Sequence, residues 1–408
     1  MRSGLVLMQL LAVSYGISLN GIIPFGSSVD LSGSKDYRLI KTSPEEYEVI
    51  PESAKLDYRR SNKRFIDVTK QIPIEEVAKM GLVKKPLLGF WNKIKVLGGK
   101  QLNFLQEPIK EHEYPAKADH SKDVKRIFES IDTELAKSNL GEFTSFFTRY
   151  YKSPTGLDSA NWLYDKIQKT TAPVSDRVKI TKVHHSGWDQ YSIIVSIPGK
   201  KDRKVIAGSH QDSANLILPN ILRAPGADDN GSGTVTCLET LRVLVNELQN
   251  GYEPYNTVEL HFYSAEEGGL LGSIDVFSRY AANGDEVIAM LQQDMTGFTA
   301  KTIDNGVEPH FGLIMDYTST KLNEYLKVLI KEYCSIPYHE TECGYACSDH
   351  ASAIEHGYPA SFVIESEMKY SSGYIHSVLD TIDRLDWAHV TEHIKLTISY
   401  LYELSLQN

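Results

Sequence analysis

Residues 257–267, TVELHFYSAEE, decide the fold. The run is rich in β-branched and aromatic residues and short enough to be a buried strand, and it ends on two adjacent carboxylates. Two further stretches repeat the pattern: KVIAGSH (204–210) ends on His210, and EVIAMLQQD (286–294) ends on Asp294. Helical spacing appears between them. Residues 231–248 carry Val235, Leu238, Leu241, Leu244 and Val245 on one stripe, and 271–280 form a shorter helical segment. Apolar strands alternating with helices predict an α/β fold with a mixed, largely parallel central sheet flanked by helices. Such sheets bind ligands outside the carboxyl ends of their strands, where these polar residues fall.

Five residues of metal-ligand type stand in five short signatures: His210 in SHQD, Asp229 in PGADDNGSG, Glu267 in SAEEGG, Asp294 in QQDMTG and His376 in YIHSVLD. Taken singly, each has an ordinary reading as a turn or a charged strand end. Together they supply two imidazoles and three carboxylates, with Glu266 as a spare carboxylate beside Glu267. That set suits a pair of divalent ions, a shared water and a base to deprotonate it, and so metal-assisted hydrolysis. Neighbouring glutamates on an extended chain point to opposite sides. The strand is therefore expected to end or bend at Glu266–Glu267, with Gly268 and Gly269 permitting the turn.

The ordered series HxD, GADDNGSG, SAEEGGLLGS, QQDMTG, CGYACSDH and IHSVLDT resembles the M28 family of zinc aminopeptidases, and within it the secreted leucine aminopeptidases of bacteria and fungi. The likeness spans roughly residues 115–408. It implies two zinc ions held by His210, Asp229, Glu267, Asp294 and His376, with Asp229 bridging them. Glu266 is the implied general base, taking the water's proton and passing it to the leaving amine. Asp212 stands where the family orients the first histidine, a contact that fixes an imidazole's free nitrogen. The family's substrate pocket maps onto Met295, Ile314, Cys343, Tyr345, Cys347, Phe362, Ile364, Met368 and Ile375. These are apolar or aromatic, which favours a leucine-like side chain at the peptide's N-terminus. Met368 and Ile364 replace usual aromatics and widen or soften the pocket. The resemblance also implies a Cys343–Cys347 disulfide. Two other activities share this fold: a glutaminyl cyclase working at one zinc, and a non-catalytic binding module. The complete ligand set argues against both.

The remaining composition agrees with that reading. The 408 residues carry a net charge of −10, which argues against nucleic acid, and no apolar run is long enough to span a bilayer. The expected partners are peptide substrates with a free N-terminus, with neither nucleic acid nor membrane, and the enzyme is expected to be a monomer. Arg2 followed by LVLMQLLAV (5–13) and small residues reads as a signal peptide over 1–18, hence a secreted, extracellular enzyme. Residues 19–110 are poor in long apolar runs and contain the basic pairs Arg59–Arg60 and Lys84–Lys85. In the resembling enzymes such a segment is a propeptide that assists folding and restrains activity, so a zymogen is expected. Its boundary falls between 85 and 120, and the catalytic domain covers 111–408. Cys237 lies on an apolar helix face and is expected to be a buried thiol, with Cys334 also free. Asn230-Gly231-Ser232 is a glycosylation sequon, but its place beside Asp229 predicts an unmodified, helix-capping side chain.

Overall fold

The computed structural model describes residues 36–74, 77, 94–95 and 108–408, with 94–95 described by main chain alone. The expected signal peptide and the Lys84–Lys85 pair lie outside the described residues.

Two sheets organise the chain. The first is small and antiparallel: β1 (Tyr37–Ser43), β2 (Glu46–Pro51), β3 (Ile66–Asp67) and β4 (Ile94–Lys95), in the order β3-β1-β2-β4. The second has eight strands: β5 (Lys179–Val183), β6 (Ser192–Ile197), β7 (Lys201–His210), β8 (Asn256–Tyr263), β9 (Glu286–Gln293), β10 (Phe311–Ile314), β11 (Tyr338–Thr341) and β12 (Ala360–Ile364). Their order is β11-β10-β12-β9-β7-β8-β6-β5. The central strands β8, β7, β9 and β12 are parallel, and antiparallel pairs lie outside them. The mixed, largely parallel sheet expected from sequence is present.

The three runs that predicted it form the middle of this sheet, because both faces are covered. Val205 and Ala207 pack with Leu241 and Leu244 of the helix Gly233–Gln249 and Ile394 of the helix Trp387–Leu406. Ile206, between them, packs on the other face with Val276 and Phe277 of the helix Leu271–Asn283. Each of the larger side chains contributes about 1.5–3 kcal/mol when fully buried, and a shift of one residue would move a whole row to the wrong face.

The carboxyl ends of β7, β8 and β9 open on one edge. β7 ends on His210, and β9 ends one residue before Asp294. At β8 the expected strand end is corrected. The strand stops at Tyr263, and the turn runs from Ala265 (φ +59°) through the glutamate pair, where Gly269 N and Leu270 N both donate to Glu266 O at 2.9 Å. Gly269, at φ +101°, serves that turn as expected and has a second task. A Cβ there would sit 2.6 Å from a Phe65 ring carbon, so the missing side chain lets β3 approach. The N-terminal sheet sits on this spot. Asp67 N donates to Gly269 O at 3.0 Å, and Leu39, Tyr47, Val49, Ile66 and Val68 share an apolar cluster with Leu270, Ile274, Ala346 and Ala351. Lys41 is wholly buried and pairs with Glu355.

Candidate functional site

All five ligand-type residues meet at this edge. They form two groups of three, His210–Asp229–Asp294 and Asp229–Glu267–His376, with Asp229 common to both. Its two oxygens face opposite ways. Asp229 Oδ1 is 3.2 Å from His210 Nε2, and Oδ2 is 3.0 Å from His376 Nε2. Asp294 Oδ1 lies 3.4 Å from His210 Nε2, and Glu267 Oε2 lies 3.2 Å from His376 Nε2. Donors bonded to zinc at about 2.0–2.2 Å in a tetrahedron stand about 3.3 Å apart, so the spacing suits an ion inside each group. Both Glu267 oxygens and Asp294 Oδ1 are buried without a hydrogen bond, as oxygens reserved for a cation would be. The residues present therefore fit zinc.

Electrostatics point the same way. Burial works against charged imidazoles at His210 and His376, but Asp294 outweighs it at the first and Glu267 and Asp229 at the second, holding both well above the usual histidine range. Burial, reinforced by Asp229, raises Glu267 and Asp294. Burial also acts on Asp229, yet the two histidines, His376 foremost, pull it well below the carboxylate range. Protons shared across such a cluster are what a divalent ion displaces on binding.

The main chain delivers these groups through three buried supports. Asp212 lies near His210 Nδ1, 3.4 Å by its Oδ1 and 3.2 Å by its main-chain O. Its carboxylate also accepts Glu266 N at 3.0 Å and Glu267 N at 3.2 Å, thereby fixing the turn that carries both glutamates. Asp380, from the YIHSVLD signature, accepts Asp228 N at 2.9 Å and Asp229 N at 3.1 Å. Asn230 Oδ1 accepts Gly233 N at 2.9 Å, and its Nδ2 donates to Gln293 O at 3.0 Å. Asn230 is fully buried, and its amide ties the helix start to the end of β9. We therefore expect peptide mapping of active protein made in a glycosylating host to recover Asn230 without a glycan. An occupied site in protein that still hydrolyses substrate would show that this loop faces solvent.

The pocket positions divide. Met295, Ile314, Cys347, Phe362 and Ile364 form one apolar cluster, with Cys343, Met368 and Ile375 packed against it. A cavity of about 230 Å³ joins its edge to the acidic centre, lined by Met295, Cys347 and Ile375 together with Asp229, Glu266, Asp294 and His376. Tyr345 stands outside that cluster. Its hydroxyl donates to Glu355 at 2.8 Å, and its ring packs near Lys41 of β1. Cys343 and Cys347 are disulfide-bonded, while Cys237 is a buried thiol and Cys334 a half-buried one.

Sequence reasoning missed the groups that close the cavity. Arg59, Asn62, Lys63 and Arg64 of the N-terminal unit form its other wall. Arg59 Nη2 donates to Glu266 Oε2 at 2.9 Å and to Glu266 O at 2.6 Å. Arg60 donates to Leu216 O and Ile217 O, both at 2.7 Å, and Arg64 to Cys347 O at 2.8 Å. The only available signal was the Arg59–Arg60 pair, which reads as a processing site until its side chains are placed.

Another grouping, His310–His339–Glu367, lies apart from this centre. Its two rings stack with centroids 3.9 Å apart and 20° between planes, so one ion cannot lie in both ring planes. His310 Nε2 also accepts Glu367 N at 3.2 Å. It is a stacked pair of one buried and one half-buried ring.

A family model described as peptidase family M28 matches residues 192–401. The chain is 46% identical over 372 residues to a probable aminopeptidase of Saccharomyces cerevisiae, covering 90% of this chain and 92% of that one. It is 44% identical over 372 residues to leucine aminopeptidase 1 of Leptosphaeria maculans, covering 91% and 89%. Among solved structures, the LapA aminopeptidase of Legionella pneumophila superposes with a TM-score of 0.75 at 25% identity, covering 91% of this chain and 99% of that one.

Proposed function

The chain belongs to peptidase family M28 and is an aminopeptidase, and from that premise we propose a secreted dizinc enzyme that removes apolar, leucine-like residues from peptide N-termini. One observation carries the reading: Asp229 turns one oxygen to each of two histidines, and each half of the centre adds its own carboxylate. That arrangement supports two zinc ions, one among His210, Asp229 and Asp294 and one among Asp229, Glu267 and His376. It favours hydrolysis over a one-zinc cyclase reading. When bound, zinc supplies Lewis-acid polarisation of the scissile carbonyl and lowers the pKa of water.

The chain's own groups do the rest. Glu266 belongs to neither ligand group, yet its carboxylate lines the cavity. It takes a proton from the attacking water at a carboxylate oxygen and returns it to the leaving amine. Asp212 keeps Glu266 and Glu267 on one turn, so base and ligand stay in register. The cluster around Met295, Phe362 and Ile364 receives the apolar side chain of the N-terminal residue. The test is zinc stoichiometry measured beside hydrolysis of leucine-p-nitroanilide. Two ions with activity are expected; one ion with cyclisation of N-terminal glutamine would overturn the assignment.

Residues 19–110 are proposed to be a propeptide that silences this centre. The support is Arg59, whose guanidinium occupies the carboxylate that must receive the proton. Arg59 is engaged in the cavity and Arg60 holds the main chain at Leu216 and Ile217, so this pair is poorly placed for a processing protease, and cleavage is placed between 85 and 120. Breaking a charge-assisted hydrogen bond is worth about 1.5–3 kcal/mol. Arg59→Ala in the full-length chain is therefore expected to raise basal activity by at least ~10-fold. Unchanged activity, together with an active secreted form whose N-terminus lies near residue 19, would make the segment an integral domain.

A further inference from the structure

The loop from Gln211 to Gly226 joins two parts of the site. His210 and Asp212 stand at its start, and Asp229 follows its end. Its middle is open to solvent, with Ile217 and Ile221 exposed, but its neck is closed by one side chain. Arg149 is fully buried there. Its Nε donates to Gln211 O at 2.9 Å, its Nη1 to Pro225 O, and its Nη2 to Gly226 O at 2.8 Å. Its main chain joins in: Arg149 N donates to Ser213 Oγ at 3.1 Å, and that hydroxyl donates to Ala224 O at 2.9 Å. The guanidinium lies over the Phe143 ring, 4.2 Å from the centroid.

These contacts are unusual in what they leave out. Among the described residues no carboxylate forms an ion pair with this guanidinium; its recorded partners are main-chain carbonyls. Burial without a partnered anion is costly for a cation, and it pulls Arg149 down to about 10. Only arginine offers a rigid planar fork that can satisfy three carbonyls converging from two strands of a loop. Gly226 O also accepts Gly231 N at 3.0 Å, which closes the turn holding Asp229. A Cβ at Gly226 would lie 2.6 Å from Asp229 O and 2.9 Å from Arg149 Nη2, so clamp and ligand turn are in direct register.

We propose that Arg149 is a positioning residue: by clasping Gln211 to Pro225 and Gly226 it sets the separation of His210 and Asp229, and thereby the affinity of the centre for zinc. It touches neither substrate nor ligand atoms. The inference rests on the reading of His210 and Asp229 as zinc ligands. Zinc tolerates donor displacements of only about 0.2 Å, and residues that orient ligands change metal affinity by about 10–100-fold.

The test is Arg149→Lys in the full-length chain, which keeps the charge and removes the fork. Zinc affinity is measured by chelator competition, and folding of the metal-free protein by near-ultraviolet circular dichroism and thermal unfolding. The expected result is a folded protein whose zinc affinity is weaker by about 10–100-fold, with activity relative to wild type recovering as zinc is raised. A folded variant with wild-type zinc affinity overturns the proposal, whatever its melting temperature, because a purely structural arginine would change stability alone. Should Arg149→Lys not fold, Ser213→Ala removes the hydroxyl link at the same neck and leaves the guanidinium in place. About 10-fold weaker zinc binding is then expected, the milder end of such effects, and unchanged binding overturns the clasp. Asp229→Ala separates the two levels: wild-type zinc binding that survives it would overturn the ligand assignment, and this inference with it.

Discussion

Glu266→Gln should leave a folded protein with its full complement of zinc and lower turnover of leucine-p-nitroanilide by at least ~10²-fold, the lower end for loss of a general base. The substitution keeps the side chain's length and one accepting oxygen. The carboxamide can still accept from Arg59, so docking of the N-terminal unit should survive. The main-chain bonds from Glu266 and Glu267 to Asp212 are untouched, and they hold the turn that carries Glu267. What disappears is the only carboxylate in the cavity lining outside both ligand groups, among the described residues. The effect should fall on kcat with little change in KM, because the lost interaction belongs to the transition state. Near-normal turnover in the metal-replete variant would remove Glu266 from the role of base and leave the centre without an evident proton acceptor.

The site's ligand-type residues were legible in the sequence only jointly, as an ordered set of short signatures, with local structure helping for two of them. His210 and Asp294 sit at the ends of strands whose apolar runs identify them. Long-range relations were not legible. Asp212 was expected beside His210, and it does lie there, but its carboxylate also anchors the amides of residues more than fifty positions away. A bend was expected at Glu266–Glu267 because neighbouring glutamates on a strand would face opposite sides, and Gly269 (φ +101°) does serve it, yet the turn begins earlier, at the left-handed Ala265, which a sequence reading passes over. Gly269 is needed for the approach of Phe65, a partner from a different sheet. Tyr345 is drawn out of the pocket cluster by Glu355 and Lys41, a buried pair linking residues 314 positions apart. Arg59 and Arg149 were invisible for the same reason. A basic side chain, in the polar run around Arg59 or the aromatic run around Arg149, reads as solvated until tertiary structure supplies a carboxylate or three carbonyls for it to hold.

Asp229→Ala is expected to remove zinc from both halves of the centre and activity with it. Asp229 belongs to both groups, so its loss leaves His210 with Asp294 alone and His376 with Glu267 alone. Two protein donors are too few for a tightly held zinc. The affinity should fall by more than the ~10²-fold that marks the upper end for residues that merely orient ligands. The fold should persist, because the loop is held by groups that the substitution spares: Asp380 on the main-chain amides, Asn230 at the helix start and Arg149 at the loop neck. Asp228 is the natural control, being the same residue type one position earlier. Its Oδ1 accepts Gly297 N at 3.0 Å, and the side chain faces Glu365 rather than the histidines. Asp228→Asn should therefore keep two zinc ions. Equilibrium dialysis with zinc analysis on both variants decides between them. Two tightly bound ions in Asp229→Ala would transfer the bridging role elsewhere, and their loss in Asp228→Asn would name the carboxylate that has it.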